Sequence, residues 1–221
     1  MSTGSAVLRV TGNGRDGDVP GVPISAARRR GRPQAIYGVV LWVFIGVATT
    51  LFTLFVVAYI MRMSNADAAA IAMPRQLWIS TALLLAGSVL LHRARVASSD
   101  GEVERARQWM RAGGATALLF LAAQWWAWQA LLERQVTAVG NPAGSFFYVL
   151  TALHGLHVLG GLVGWTIAAR AVRRVTDARE AAWRIGLTAR YWHFLLLVWL
   201  ALYASFTWIT PEVARIICRT P

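Results

Sequence analysis

The chain has 221 residues, 57% of them hydrophobic and 14% charged, with 22 basic residues against 10 acidic ones and a net charge of +12. A soluble domain sits near half apolar and a quarter charged, so this chain has too little charge for an ordinary wet surface and too much apolar content for disorder. What remains is an integral membrane protein, and the single cysteine, Cys218, excludes an internal disulfide framework or a thiolate zinc cluster.

Residues 1–34 are polar, rich in Gly, Pro and Ser, and end in Arg28, Arg29, Arg30 and Arg32. This predicts a disordered basic cytosolic tail. A signal peptide does not fit, because the apolar run that follows is far longer than an h-region. Five uncharged stretches come next: Pro33 to Met61, Gln76 to His92, Ala112 to Leu132, Gln135 to Ala169 and Tyr191 to Pro211. About 20 helical residues cross a hydrocarbon core of ~30 Å. The fourth stretch is broken by Gly140-Asn141-Pro142-Ala143-Gly144, so its span starts near Ser145. The expected fold is an all-α integral membrane protein with five transmembrane helices in a domain at 35–211. Its spans fall at about 37–61, 76–92, 112–132, 145–169 and 191–210, followed by a short outer tail at 212–221.

The 22 basic residues are all arginine and lie between these runs. Six fall in the tail, five in Arg93–Arg111 and six in Arg170–Arg190, against five on the other side: Arg62, Arg75, Arg134, Arg215 and Arg219. The positive-inside rule then places the N-terminus in the cytosol and the C-terminus outside. The same placement removes nucleic acid as a partner, since no basic face is assembled. All ten carboxylates also fall outside the spans. Charges kept in lipid are usually there for ion or proton transfer, so a self-sufficient pump or transporter is not expected.

Four histidines are the titratable groups at membrane depth that change charge near neutral pH. His154 and His157 share a face of the fourth helix, which continues as Thr151, His154, His157, Gly161, Gly164 and Ala168. Gly160 and Gly164 form a small-xxx-small pair. Such a stripe suits helix packing, with polar side chains bonding across the seam. For haem, His193 sits ~5 Å and His157 ~20 Å from the cytosolic edge at 1.5 Å per residue, so these two cannot be axial partners. His92 could match His193, which makes a free-standing membrane cytochrome a competing reading. On the third helix, Gln124 and Trp128 within Gln-Trp-Trp-Ala-Trp are candidates for a lipid groove.

Two segments resemble subunit III of haem-copper (cytochrome c) oxidases in its short five-helix form. One is Phe146-Phe147-Tyr148-Val149-Leu150-Thr151-Ala152-Leu153-His154-Gly155-Leu156-His157-Val158 with the following Gly160-Gly161. The other is Tyr191-Trp192-His193-Phe194 with Val198-Trp199-Leu200 and Tyr203. The first helix, Thr81 to Leu85 with Ser88 and His92, and Gln124 with Trp128 are similar to the corresponding helices. The resemblance departs at four acids: this chain has Ala48, Ala127, Gly186 and Leu196 where that family usually carries one. It implies a non-redox, non-catalytic subunit of a bacterial plasma (inner) membrane oxidase in aerobic electron transport. It further implies packing against subunit I, bound phospholipid, and no metal or cofactor in this chain. Haem and copper belong to partner subunits I and II. Accessory subunits of nitric oxide reductase resemble the chain too, with the same expected fold.

Overall fold

An apolar run in lipid must satisfy every backbone N–H and C=O internally, and a helix does so within one segment. The computed structural model describes residues 24–65, 73–136, 142–174 and 177–218, with side chains for 36–65, 73–136, 143–174 and 177–218. Six helices are present among them: α1 (Ile24–Met63), α2 (Gln76–Ser99), α3 (Val103–Glu133), α4 (Pro142–Arg174), α5 (Ala178–Trp208) and α6 (Pro211–Cys218). The first five are long and apolar enough to cross a membrane. The chain is therefore an all-α multi-pass membrane protein.

The helices outrun the apolar stretches that nucleate them. Residues 24–34, expected as disordered tail, are the first turns of α1; residues 1–23 of that tail lie outside the described residues. The stretch expected as an inner loop from Arg93 is helical on both sides of Asp100, Gly101 and Glu102, and most of Arg170–Arg190 is helical as well. Once a span has paid the nucleation cost, Ala, Arg and Glu extend it readily. Local ion pairs add to this: Arg105–Glu102 at 2.6 Å, Arg107–Glu104 at 3.0 Å and Arg184–Glu180 at 2.8 Å. Each is solvent-exposed enough to contribute only a few tenths of a kcal/mol, roughly the value of a helix i,i+4 pair.

The ends are capped by specific residues. Gly101 takes φ +84°, and the Glu102 and Gly101 amides donate to Ala97 O and Ser98 O at 2.9 and 3.2 Å, closing α2 with a left-handed cap. Gln135 (φ 58°) does the same after α3, its amide donating to Leu132 O at 2.9 Å. Asp177 caps α5 by accepting from the Arg179 amide at 3.0 Å. Arg107 of α3 donates to Val172 O at 3.1 Å, placing a cation at the carbonyl end of α4. The outer tail expected at 212–221 is helical as far as Cys218. Thr210 accepts from the Val213 amide at 3.4 Å and Pro211 occupies the first helical position, a favoured start.

The described chain divides at Phe44 into two units. In the first, α1 presents Ile36, Tyr37, Val39, Val40, Trp42 and Val43 as exposed apolar side chains. In the second, α2, α3, α4 and α5 form the core, built on Leu84, Leu91, Met110, Phe120, Leu150, Val158, Trp192, Leu195 and Trp199. From Ile45 onward, α1 joins that core through one narrow stripe of Ala48, Phe52, Tyr59 and Met63. Tyr59 packs on Phe146 and Phe206 at 5.8 and 5.6 Å between ring centroids.

Small residues set how closely α2, α3 and α4 approach. A Cβ on Gly114 would lie 2.5 Å from the Trp165 indole, and one on Gly87 2.5 Å from Thr116 Oγ1. The indole cannot step aside freely, because Trp165 Nε1 donates to Met110 O at 2.9 Å. Gly114→Ala is therefore expected to lower stability by about 1–3 kcal/mol, the range for overpacking a filled core. Detergent-denaturation midpoints of the purified protein check this, and an unchanged midpoint would show that the α3–α4 seam has room.

Candidate functional site

Polar side chains inside a bilayer find partners on neighbouring helices, since lipid offers none. In this chain they collect in a layer across α2, α3, α4 and α5. Ser80 Oγ donates to Gln124 Oε1 at 2.9 Å, joining α2 to α3. Trp199 Nε1 donates to Thr81 Oγ1 at 2.9 Å, joining α5 to α2. Trp128 Nε1 donates to Thr151 Oγ1 at 3.1 Å, joining α3 to α4, and Thr151 donates in turn to Phe147 O at 2.6 Å.

His154 lies within this layer and is fully buried. Its ring meets Trp199, Phe120 and Phe52 at centroid separations of 5.3, 5.7 and 6.2 Å. Neither ring nitrogen has a hydrogen-bond partner. Among the described side chains, the ring is surrounded by aromatic carbon from three helices. His157, one turn on, bonds through Nδ1 with Leu153 O at 2.8 Å and stacks against Phe52 at 5.1 Å.

The small-residue stripe does not hold one face. Thr151, His154 and Gly161 are buried and Gly155 is half-buried, whereas Gly160 and Gly164 are exposed. A Cβ on Gly161 would lie 2.8 Å from the Tyr191 ring, so this glycine permits the α4–α5 contact. Nothing lies within 4 Å of a Cβ on Gly160 or Gly164. The spacings of 3 and 4 drift against the 3.6-residue turn, which carries Gly164 off the buried face. Exposed Leu156, Val163 and Ile167 surround this open pair on α4.

The final-helix segment divides in the same way. Tyr191 donates to His157 O at 3.0 Å, Trp192 is almost fully buried, and Phe194 is half-buried against Tyr191 at 6.2 Å. His193 is exposed and bonds Ser88 of α2 through Nδ1, with the His92 ring 6.0 Å away. The structure thus brings His92 and His193 together, as the cytochrome reading requires. Nearby, α2 and α5 pack closely, a Cβ on Gly87 lying 3.5 Å from Trp192 Nε1.

Gln124 is 5% exposed and faces the core; Trp125 and Trp126 beside it are exposed, and Trp128 is half-buried. Ser80, Phe52 and Phe120 complete the layer and went unnoticed in the sequence. Ser80 had a signal: it stands next to Thr81 in an otherwise apolar span. Of the positions departing from the resembled family, Ala48, Ala127 and Gly186 are buried and Leu196 is half-buried. Gly186 lies beside Arg95, whose Nε would be 3.5 Å from an added Cβ.

Comparison with known proteins adds a family to this geometry. The family described as Cytochrome c oxidase subunit III matches residues 37–210. A probable cytochrome c oxidase subunit 3 of Nocardia farcinica is 30% identical over 131 residues, covering 58% of this chain and 64% of that protein. Its counterpart in Mycobacterium leprae is likewise 30% identical, with the same coverage. Cytochrome c oxidase subunit 3 of Cyprinus carpio is 33% identical over 133 residues, covering 59% of this chain and 49% of the relative. The matched part is thus less than two thirds of each relative's length.

Proposed function

Because the chain belongs to the cytochrome c oxidase subunit III family, we propose that it is the non-redox third subunit of a terminal haem-copper oxidase. The observation that carries this is the family match over 37–210, which enters in α1 and leaves two residues beyond α5, taking in every span. In this reading the chain sits in a bacterial plasma membrane with its N-terminus in the cytosol. The arginine distribution of six, five and six inside against five outside supports that orientation. Haem and copper belong to subunits I and II, and electron transfer to oxygen takes place there.

The work of this chain is then to pack and to hold lipid. Its polar groups are turned inward on one another, as Ser80–Gln124 and Trp128–Thr151 illustrate, which leaves outer faces that are apolar. The Gly160–Gly164 face, with Leu156, Val163 and Ile167 around it, suits close approach of a helix from subunit I. Phospholipid chains fit beside α1, whose Val47, Leu51, Leu54 and Val57 are exposed on either side of its narrow buried stripe.

A tagged full-length chain recovered in mild detergent tests this. It should bring down haem- and copper-bearing subunits and show their absorption bands. A stable assembly without such partners would count against the reading, and capture of nitric oxide reductase subunits would move the same fold to another enzyme. The double substitution Gly160→Leu and Gly164→Leu should leave the isolated chain folded, since nothing lies within 4 Å of a Cβ at either position, and should reduce partner recovery about tenfold, equivalent to ~1.4 kcal/mol of interface. Undiminished recovery would place the subunit I contact on another face.

A further inference from the structure

The polar layer ties the core helices together and still leaves buried nitrogens on α3 and α4 without a partner. Ser80 ties α2 to Gln124 of α3, and Thr81 ties α2 to Trp199 of α5. Trp199 lies against His154 of α4 at 5.3 Å. Between α3 and α4 at this depth, Gln124 Nε2 and both nitrogens of His154 are buried without a hydrogen-bond partner.

The register of the two helices sets these groups opposite each other. Phe120 of α3 meets His154 of α4, and Trp128 of α3 bonds Thr151 of α4. Gln124 is one turn from both Phe120 and Trp128 on the same face, so it falls between the His154 and Thr151 levels. Its Oε1 is held by Ser80, which commits the amide nitrogen to the other side. Buried polar groups are almost always paired, and an orphan in a native core calls for a water or an ion. His154 is 0% exposed, so no side chain from another subunit can reach it. The missing partner must be small enough to be enclosed, must both donate and accept, and must be neutral to sit among Phe52, Phe120 and Trp199. Water meets all three requirements.

We propose that a bound water within the membrane-spanning core bridges a ring nitrogen of His154 to Gln124 Nε2, adding a second α3–α4 link beside Trp128–Thr151. With that link, Gln124 uses both ends of its amide and His154 gains a bond that fixes its tautomer. The His154 ring lies against aromatic carbon from α1, α3 and α5, which leaves the water little access to solvent. The water is therefore expected to exchange more slowly than water at the exposed His92 and His193 rings.

Water-to-side-chain magnetisation transfer by solid-state NMR, on the full chain in deuterated lipid, tests this without altering the protein. His154 and the Gln124 side-chain amide should both show transfer from water, alongside His92 and His193 as exposed references. Transfer at His92 and His193 with silence at His154 would overturn the proposal, and so would transfer at His154 with silence at Gln124. Gln124→Leu should lower the His154 signal at least twofold. An undiminished His154 signal in that variant would also overturn the bridge. Should the variant not fold, the two readings in the unaltered chain decide alone.

Discussion

Trp199→Ala is expected to cause the largest loss of stability of any single truncation in the core, on the order of 3 kcal/mol. The side chain is 1% exposed and reaches three helices at once. It packs edge-on to Phe120 at 5.2 Å, lies against His154 at 5.3 Å, and donates to Thr81. In a membrane the unfolded helix stays in lipid, so the transfer part of the usual large-to-small penalty is missing and the cavity and lost contacts supply the effect. The hydrogen bond is the smaller component: interhelical bonds in membranes average about 0.6 kcal/mol. Thr81→Ala should therefore cost several-fold less than Trp199→Ala, and Trp199→Phe should recover most of the loss. Detergent-unfolding midpoints of the three variants give the order directly. If Thr81→Ala proved as damaging as Trp199→Ala, hydrogen bonding would rank above packing here.

Ala127→Glu is expected to be the most damaging introduction of charge, costing about 3 kcal/mol or more and preventing recovery of the folded chain from membranes. Ala127 is fully buried on the third span, in line with Ala123 and Leu131. A glutamate there brings both volume and an unpaired carboxylate into a filled seam. Ala127→Gln separates the two, since it keeps the shape and drops the charge. Gly186→Glu supplies the contrast: that position is beside the Arg95 guanidinium, in the helical segment outside the apolar run, so an acid there gains a partner. The expected order of recovered protein is Gly186→Glu above Ala127→Gln above Ala127→Glu. A folded, fully recovered Ala127→Glu would mean that the core can house an acid at this position.

These two variants show why the sequence was readable in some places and silent in others. The number of spans followed from run length alone, because lipid leaves the backbone no alternative. Helix ends did not follow, since Arg, Glu and Ala outside the bilayer are good helix formers whose extension depends on a nucleus elsewhere; Gly101 and Asp177 set the stops. The chemistry at His154 and His157 was legible as a shared face, yet which side of Gly160, Gly161 and Gly164 turned inward was not. Three glycines in five positions carry no side-chain information about direction, and Tyr191 on another helix decides it. Gln124 was legible as a lipid-groove candidate. Its partner, Ser80, is 44 residues earlier, a pairing that no local pattern encodes.

The link between Thr81 and Trp199 spans 118 positions of chain. A helix pair such as α2–α3, joined through the short turn at Gly101, can assemble as soon as both spans have left the ribosome. Thr81 and Gly87 must then wait for Trp199 and Trp192, which arrive later, on α5. Until then the groove on α2 stays open to lipid or to other hydrophobic chains. A chain cut short before α5 is thus not a smaller version of the protein but an exposed intermediate.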